Sequence, residues 1–458
     1  MIEFLIRVFG LNLLIVLIIS FATIILSKYL FDKWFNHLSI YTIGWFFFLF
    51  LYELKLMRYI PLSSDAFLIF FITHIGVISG ALTLITARNV FYKDKIDFSK
   101  IIHSSFIIDH NQGPLKILIL ITAIIGFYGA YQHWVVLIQK FGSITAVIMR
   151  ANLIYRMRVA GELEGVIPYL SIFPFAGIVL GGIYTAIKSR ISVLALLPFF
   201  AVILKDIASV GRSGIFVGFL FYMTSFFLFR HSLSENLNYN SQKSKRSLLI
   251  SSAVILIIVV GSLSIVKNVR GSFEDFKGKA QTFNKLKDVP FVSPSMYLYF
   301  SSNVGVFSKY FDLQVEDPMI GENTLLPVYN LLSKFDVVKH PEFYPRGYFI
   351  PMWANSATYL KDLHADFGPF GLFSIPFFLS FMATFYWFRF YESGDLISFT
   401  ILVYINIITS FSVFYLITRA AFWLMSFLFL LIIIPLTEKH LSYSYMKSRK
   451  SLLKTPVL

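Results

Sequence analysis

The sequence contains no cysteine, so no disulfide staples the fold and no thiolate holds a metal. Charge is scarce as well: 14% of residues are Asp, Glu, Lys or Arg, against roughly 25% in soluble domains. A Gly-rich phosphate loop ending in Lys-Ser/Thr is missing, which argues against ATP hydrolysis. His-Glu-x-x-His and comparable ligand spacings are missing too, as is a Gly-x-Ser-x-Gly elbow, which argues against a zinc site and a serine hydrolase. The chain is therefore expected to use no metal and no other cofactor. No internal repeat or low-complexity tract stands out.

What the chain has in abundance is apolar sequence. Of its 458 residues, 57% are hydrophobic, and the mean hydropathy is +0.72. Apolar runs of about 18 to 22 residues recur, each long enough to cross a hydrocarbon layer of about 30 Å as a helix that satisfies its own backbone hydrogen bonds. The alternating pattern of a membrane β-barrel is absent. The expected class is an all-α polytopic membrane protein with about 11 spans (10–12), at 9–27, 37–54, 65–87, 114–138, 166–187, 191–209, 214–229, 248–266, 370–389, 396–417 and 421–437. The first apolar stretch lacks a small-residue cleavage site and runs on into Lys28, so it reads as a retained span. The 52 Phe and 25 Tyr suit lipid-facing and interfacial positions.

The formal charge of +15 is spread over many loops, with no soluble basic domain to carry it, so nucleic acid is not an expected partner. The basic residues orient the chain instead. A cytoplasmic C-terminus puts Lys439, Lys447, Arg449 and Lys450 inside, together with the loops bearing Arg88 and Lys93, Lys188 and Arg190, and Lys243 and Lys245. The organisation is then N-terminal transmembrane helices over 1–138, a first outer loop at 139–165, middle transmembrane helices over 166–266, a large outer loop at 267–369, C-terminal transmembrane helices over 370–437 and a basic cytoplasmic tail at 438–458. Loops beyond roughly 15 residues are usually functional or disordered. The second is rich in Phe, Tyr, Trp and Pro, unlike a disordered linker, and is expected to fold against the membrane surface.

Chemistry-bearing residues concentrate in these outer segments. Arg150, Arg156 and Arg158 crowd the first loop, where guanidinium forks could hold a diphosphate or, equally, lipid headgroups. Gly211-Arg212-Ser213-Gly214 interrupts the apolar pattern just after Lys205 and Asp206, charges at membrane depth that should face a cavity or a partner. The long loop supplies Arg270 and Arg346, then Asn355, Thr358, Tyr359, Asp362 and Asp366 at i, i+3, i+4, i+7 and i+11, one polar stripe if helical. That stripe could bind sugar hydroxyls, with a carboxylate or His364 taking a proton; it is also what the solvated face of a surface helix looks like. Arg419, in apolar surroundings between the last two spans, should pair with an anion from the protein or from a ligand.

Taken together, the chain resembles the Wzy-type polymerases of O-antigen and related bacterial surface polysaccharides. The architecture matches over essentially the whole length, Arg150 to Gly161 fits an Arg-x10-Gly pattern, Gly211-Arg212-Ser213 looks like the element before a middle span, and Asn355 to Gly371 looks like the segment leading into a late span. No second Arg-x10-Gly occurs in the long loop, a departure from a matched two-loop capture mechanism. The resemblance implies a GT-C-like fold in the bacterial plasma (inner) membrane and a metal-independent glycosyl transfer on its outer face. Donor and acceptor would be undecaprenyl-diphosphate-linked oligosaccharides, and a flippase and a chain-length regulator of the same pathway would be partners. On this resemblance Arg150, Arg156, Arg158, Arg212, Arg270, Arg346, Arg419, Asn355 and Tyr359 would bind substrate or its diphosphate, and Asp366, His364 or Asp362 would be the base. An O-antigen ligase or other lipid-linked glycosyltransferase, or a lipid-linked oligosaccharide flippase or transporter, shares much of this pattern.

Overall fold

The computed structural model describes residues 2–57, 59–91, 112–151, 153–154, 157, 167–208, 211–233, 253, 261, 294–314, 316–341, 346–350 and 352–452. These residues are overwhelmingly helical: α1 (Ile2–Phe31), α2 (His37–Glu53), α3 (Ser64–Phe91), α4 (Gly113–Phe141), α5 (Ile144–Met149), α6 (Ile172–Lys188), α7 (Val193–Ala208), α8 (Ser213–Leu233), α9 (Pro294–Leu313), α10 (Leu326–Ser333), α11 (Tyr359–Ser393), α12 (Leu396–Phe411) and α13 (Ala421–Leu452). One two-stranded antiparallel hairpin, β1 (Tyr348–Phe349) and β2 (Trp353–Ala354), lies just before α11. Among the described residues, six stretches are long and apolar enough to cross a membrane: Leu13–Phe31, Ser64–Val90, Gly113–Phe141, Ser213–Leu233, Tyr359–Ser393 and Ala421–Lys439. The protein is a multi-pass helical membrane protein.

Four of the expected spans, at 37–54, 166–187, 191–209 and 396–417, are helices of 16 or 17 residues. The last of these ends at Phe411, and Ser412 just beyond it donates to the Thr409 carbonyl at 2.7 Å. The expected span at 248–266 lies outside the described residues, apart from Ala253 and Gly261.

The chain divides into two compact units that interleave along the sequence. Unit 1 comprises 1–94, 271–385 and 405–421; unit 2 comprises 95–270, 386–404 and 422–458.

In unit 2, α4, α6, α7 and α8 pack closely because α6 presents glycine to its neighbours. A Cβ at Gly177 would run into Thr122 Oγ1 and Pro198, at Gly181 into the Ala195 carbonyl, and at Gly182 into Ser225. Without a hydrophobic drive between helices in lipid, such close backbone approach supplies the packing attraction. Asp206, buried near the end of α7, accepts from the Ile215 amide at 3.0 Å and so caps the first turn of α8. That gives one of the two charges at membrane depth a structural partner.

In unit 1, α2 packs against α1, α3 and α9. Asn36 starts α2 by accepting from the Ser39 amide at 2.9 Å. The 20-residue helix α9 falls inside the segment read as an outer loop, and it is a built part of the unit. Tyr297 donates to the Leu51 carbonyl, Ser301 bonds Tyr59 at 2.5 Å, and Ser308 accepts from the Ser63 amide at 3.1 Å. The α3 face bearing Thr73, Gly76 and Gly80 meets α11 at backbone distance: Thr73 donates to the Leu372 carbonyl at 3.0 Å, and a Cβ at Gly80 would collide with the Phe377 carbonyl.

The late span also differs from expectation. Helix α11 begins at Tyr359, inside the segment assigned to the outer loop, and breaks at Gly368, whose φ of 62° and ψ of −157° suit glycine alone. Gly368-Pro369 thus separates a polar first segment, Tyr359–Phe367, from the apolar remainder.

Candidate functional site

The polar first segment of α11 is buried. Asp362 and Asp366 are each 4% exposed, Lys361 2%, and Thr358 and Tyr359 are enclosed, so the stripe is not a solvated face. Asn355 precedes the helix, is exposed, and does not join the stripe. Tyr359 sits in an aromatic core beside Trp45, ring centroids 6.1 Å apart, and its amide donates to the Ser412 carbonyl at 2.8 Å.

Buried charge requires partners, and each is present in unit 1. Asp362 Oδ1 accepts from Arg419 Nη1 at 2.7 Å, while Oδ2 faces the Leu416 amide at 3.4 Å. Arg419 therefore finds its anion within the protein. Lys361 Nζ pairs with Glu316 at 2.7 Å and lies 5.7 Å over the Tyr310 ring. Glu316 also accepts from the Tyr348 hydroxyl at 2.7 Å. Asp366 is the most fully engaged: Oδ1 accepts from the amide and side chain of Asn323 at 3.0 and 2.9 Å, and Oδ2 from the amide and hydroxyl of Thr324, both at 2.7 Å. Thr418 closes the ring by donating to the Thr324 carbonyl at 2.8 Å.

His364 is different. It is half-buried, and Tyr310, whose hydroxyl lies 2.9 Å from Nδ1, is its hydrogen-bond partner among the described residues. The Phe311 ring meets the imidazole edge-on at 5.1 Å. Burial and the nearby carboxylates of Glu316, Asp362 and Asp366 hold the Tyr310 phenol well above the usual tyrosine range. Burial and the bond to Glu316 do the same for Tyr348, so both phenols stay neutral.

The three candidate bases are thus unequal by geometry. Four donors occupy the Asp366 oxygens, and an arginine occupies one of those on Asp362. Among the described residues, nothing bonds the second ring nitrogen of His364, which leaves it for an incoming group. In the tautomer with its proton on Nδ1, the ring donates to the Tyr310 oxygen and presents a lone pair at Nε2.

The candidate arginines are scattered. In unit 1, Arg346 is exposed and close enough to Tyr348 to act on its ionisation. In unit 2, Arg150 is exposed beyond α5, its guanidinium 5.7 Å from the Phe141 ring centroid, and Arg212 is half-buried just before α8. Arg156, Arg158 and Arg270 lie outside the described residues. Residues that the sequence pattern did not single out complete the cluster: Tyr310, Glu316, Asn323, Thr324, Tyr348 and Lys361. Lys361, a lysine within an apolar-flanked helix, carried the one usable signal; the others are ordinary loop and helix residues until folding brings them together.

No family model, no curated protein and no solved structure matches the chain.

Proposed function

We propose that the protein is a polymerase of polyprenyl-diphosphate-linked oligosaccharide repeat units, acting at the outer face of a bacterial plasma membrane. The observation that carries this reading is His364: a half-buried imidazole, hydrogen-bonded to Tyr310, on the polar first turns of a candidate span, ahead of its break at Gly368. A lipid-linked substrate keeps its diphosphate at the membrane surface, and a base there needs such an anchored element.

In the proposed reaction His364 Nε2 takes the proton from an acceptor sugar hydroxyl, and that oxygen bonds the anomeric carbon of the donor. The anomeric C–O bond to diphosphate breaks, and the carrier diphosphate leaves with the electron pair. Arg346, an exposed cation of this unit, is suited to meet the charge that develops there. Asp362 and Asp366 act in this reading as positioning residues, holding Arg419 and the 323–324 turn against the base-bearing segment. The resemblance in sequence organisation supports the substrate class.

Gel analysis of surface polysaccharide from a strain lacking the gene tests the proposal. Single capped repeats in place of a ladder are expected. Complete loss of glycan from the surface would favour a ligase or flippase instead.

A further inference from the structure

The stretch 316–341 turns its apolar residues outward. Ile320 is 78% exposed and Phe335 71%, and Leu325, Val328, Leu331 and Val337 are exposed with them. At 100° per residue, Leu325, Val328 and Leu331 fall on one arc of about 120°, while buried Leu326 falls on the opposite side. The stretch is firmly built. Tyr329 donates to the Ile320 carbonyl at 2.6 Å, the Met319 amide to Glu322 at 3.0 Å, and α10 packs on the 3-10 turn Ile417–Arg419. An ordered apolar face of this kind marks a surface made to be covered.

Two attachments say what covers it. Asn323 and Thr324, just ahead of α10, are held by Asp366. A few residues beyond Asp366, in the same candidate span, Phe370 is 75% exposed, as a lipid-facing residue is. Thr324 is also held by Thr418, just before Ala421 opens the span Ala421–Lys439. The helix is therefore moored to the polar start of one candidate span and to the turn that leads into another. Exposed Lys334 and Lys339 flank the apolar arc, and the hairpin tied to Glu316 through Tyr348 exposes Phe349 and Trp353. Apolar residues with adjoining lysines and exposed aromatics are the chemistry of the headgroup boundary.

We infer that α10 is an interfacial anchor. Its Leu325–Val328–Leu331 face and Phe335 lie in the headgroup–acyl boundary of the leaflet, and Lys334 and Lys339 meet lipid phosphates. The anchor sets the depth of the 323–324 turn and, through Asp366, of the segment bearing His364. This holds whatever reaction the protein performs.

The cysteine-free chain makes the test direct. Val328→Cys, Leu331→Cys and Phe335→Cys each receive a spin label, with Asn330→Cys as the control on the other side of the helix. The full chain sits in nanodiscs of phosphatidylethanolamine and phosphatidylglycerol, and power saturation compares collisions with oxygen, concentrated in lipid, and with a water-soluble nickel chelate. The expected result is oxygen exceeding nickel severalfold at 328, 331 and 335, with low access for both reagents at 330, which lies beside buried Leu326 on the packed side of the helix. Nickel exceeding oxygen at all three would place the face in water and overturn the inference. Low access for both reagents at those three positions, the same in detergent as in nanodiscs, would mean that protein such as a second copy covers it, and would overturn the inference equally.

Discussion

His364→Ala is expected to lower polymer formation by about 10² to 10⁴, the usual loss for a general base, while membrane abundance stays normal. The position makes the separation of effects possible. The imidazole is half-buried, bears no ion pair, and has Tyr310 as its hydrogen-bond partner among the described residues, so its removal empties little core. Tyr310→Phe should produce a smaller loss. It keeps the ring that lies under Lys361 and meets His364 edge-on, and deletes the hydroxyl that orients Nδ1. A network hydrogen bond is worth about 0.5–1.5 kcal/mol net, about 2- to 13-fold in rate if it acts by orientation alone. Normal polymer from His364→Ala at normal abundance would remove the histidine from the chemistry.

Breaking the Asp362–Arg419 pair is expected to act on stability first. The carboxylate and guanidinium side chains are 6% and 11% exposed, so either left alone is a poorly hydrated charge. Deleting one partner of a buried pair costs about 3–5 kcal/mol, while replacing both is often nearly neutral. Asp362→Ala and Arg419→Ala should therefore each lower resistance to denaturation in detergent, and the double variant should recover part of the loss. Additive losses in the double variant would show that the two side chains do not act as a pair. A single variant with unchanged stability and abolished activity would move Asp362 or Arg419 into the substrate-binding machinery.

The long apolar helices were legible in sequence because each is a nearly unbroken run. Helix α9 was not, since Ser301, Ser302 and Asn303 interrupt its apolar pattern. The fold buries all three, and Ser301 and Asn303 donate to carbonyls one turn back, which hides polar atoms within the helix itself. The break before the late span could be read from Gly368-Pro369. That the helix resumes on the near side of the break could not, because Asp362 and Asp366 look like solvated residues until their partners are known. Those partners, Arg419, Asn323 and Thr324, stand about 40 to 60 positions away in the sequence, beyond any local periodicity. For Arg419 the demand for an anion was readable from its apolar setting, and the identity of the anion was not. Asp206 shows the same asymmetry: its cost at membrane depth was evident, its use as a cap for α8 was not.

The most direct test of glycan polymerisation is made on the purified protein in lipid nanodiscs, supplied with an undecaprenyl-diphosphate-linked repeat unit as both donor and acceptor, with products resolved by size and by attachment. The account predicts a ladder of longer glycans that remain on the polyprenyl carrier, with one free carrier diphosphate released per bond formed and no ladder from His364→Ala. Unchanged single repeats, or glycan transferred only when a different acceptor lipid is added, would contradict it.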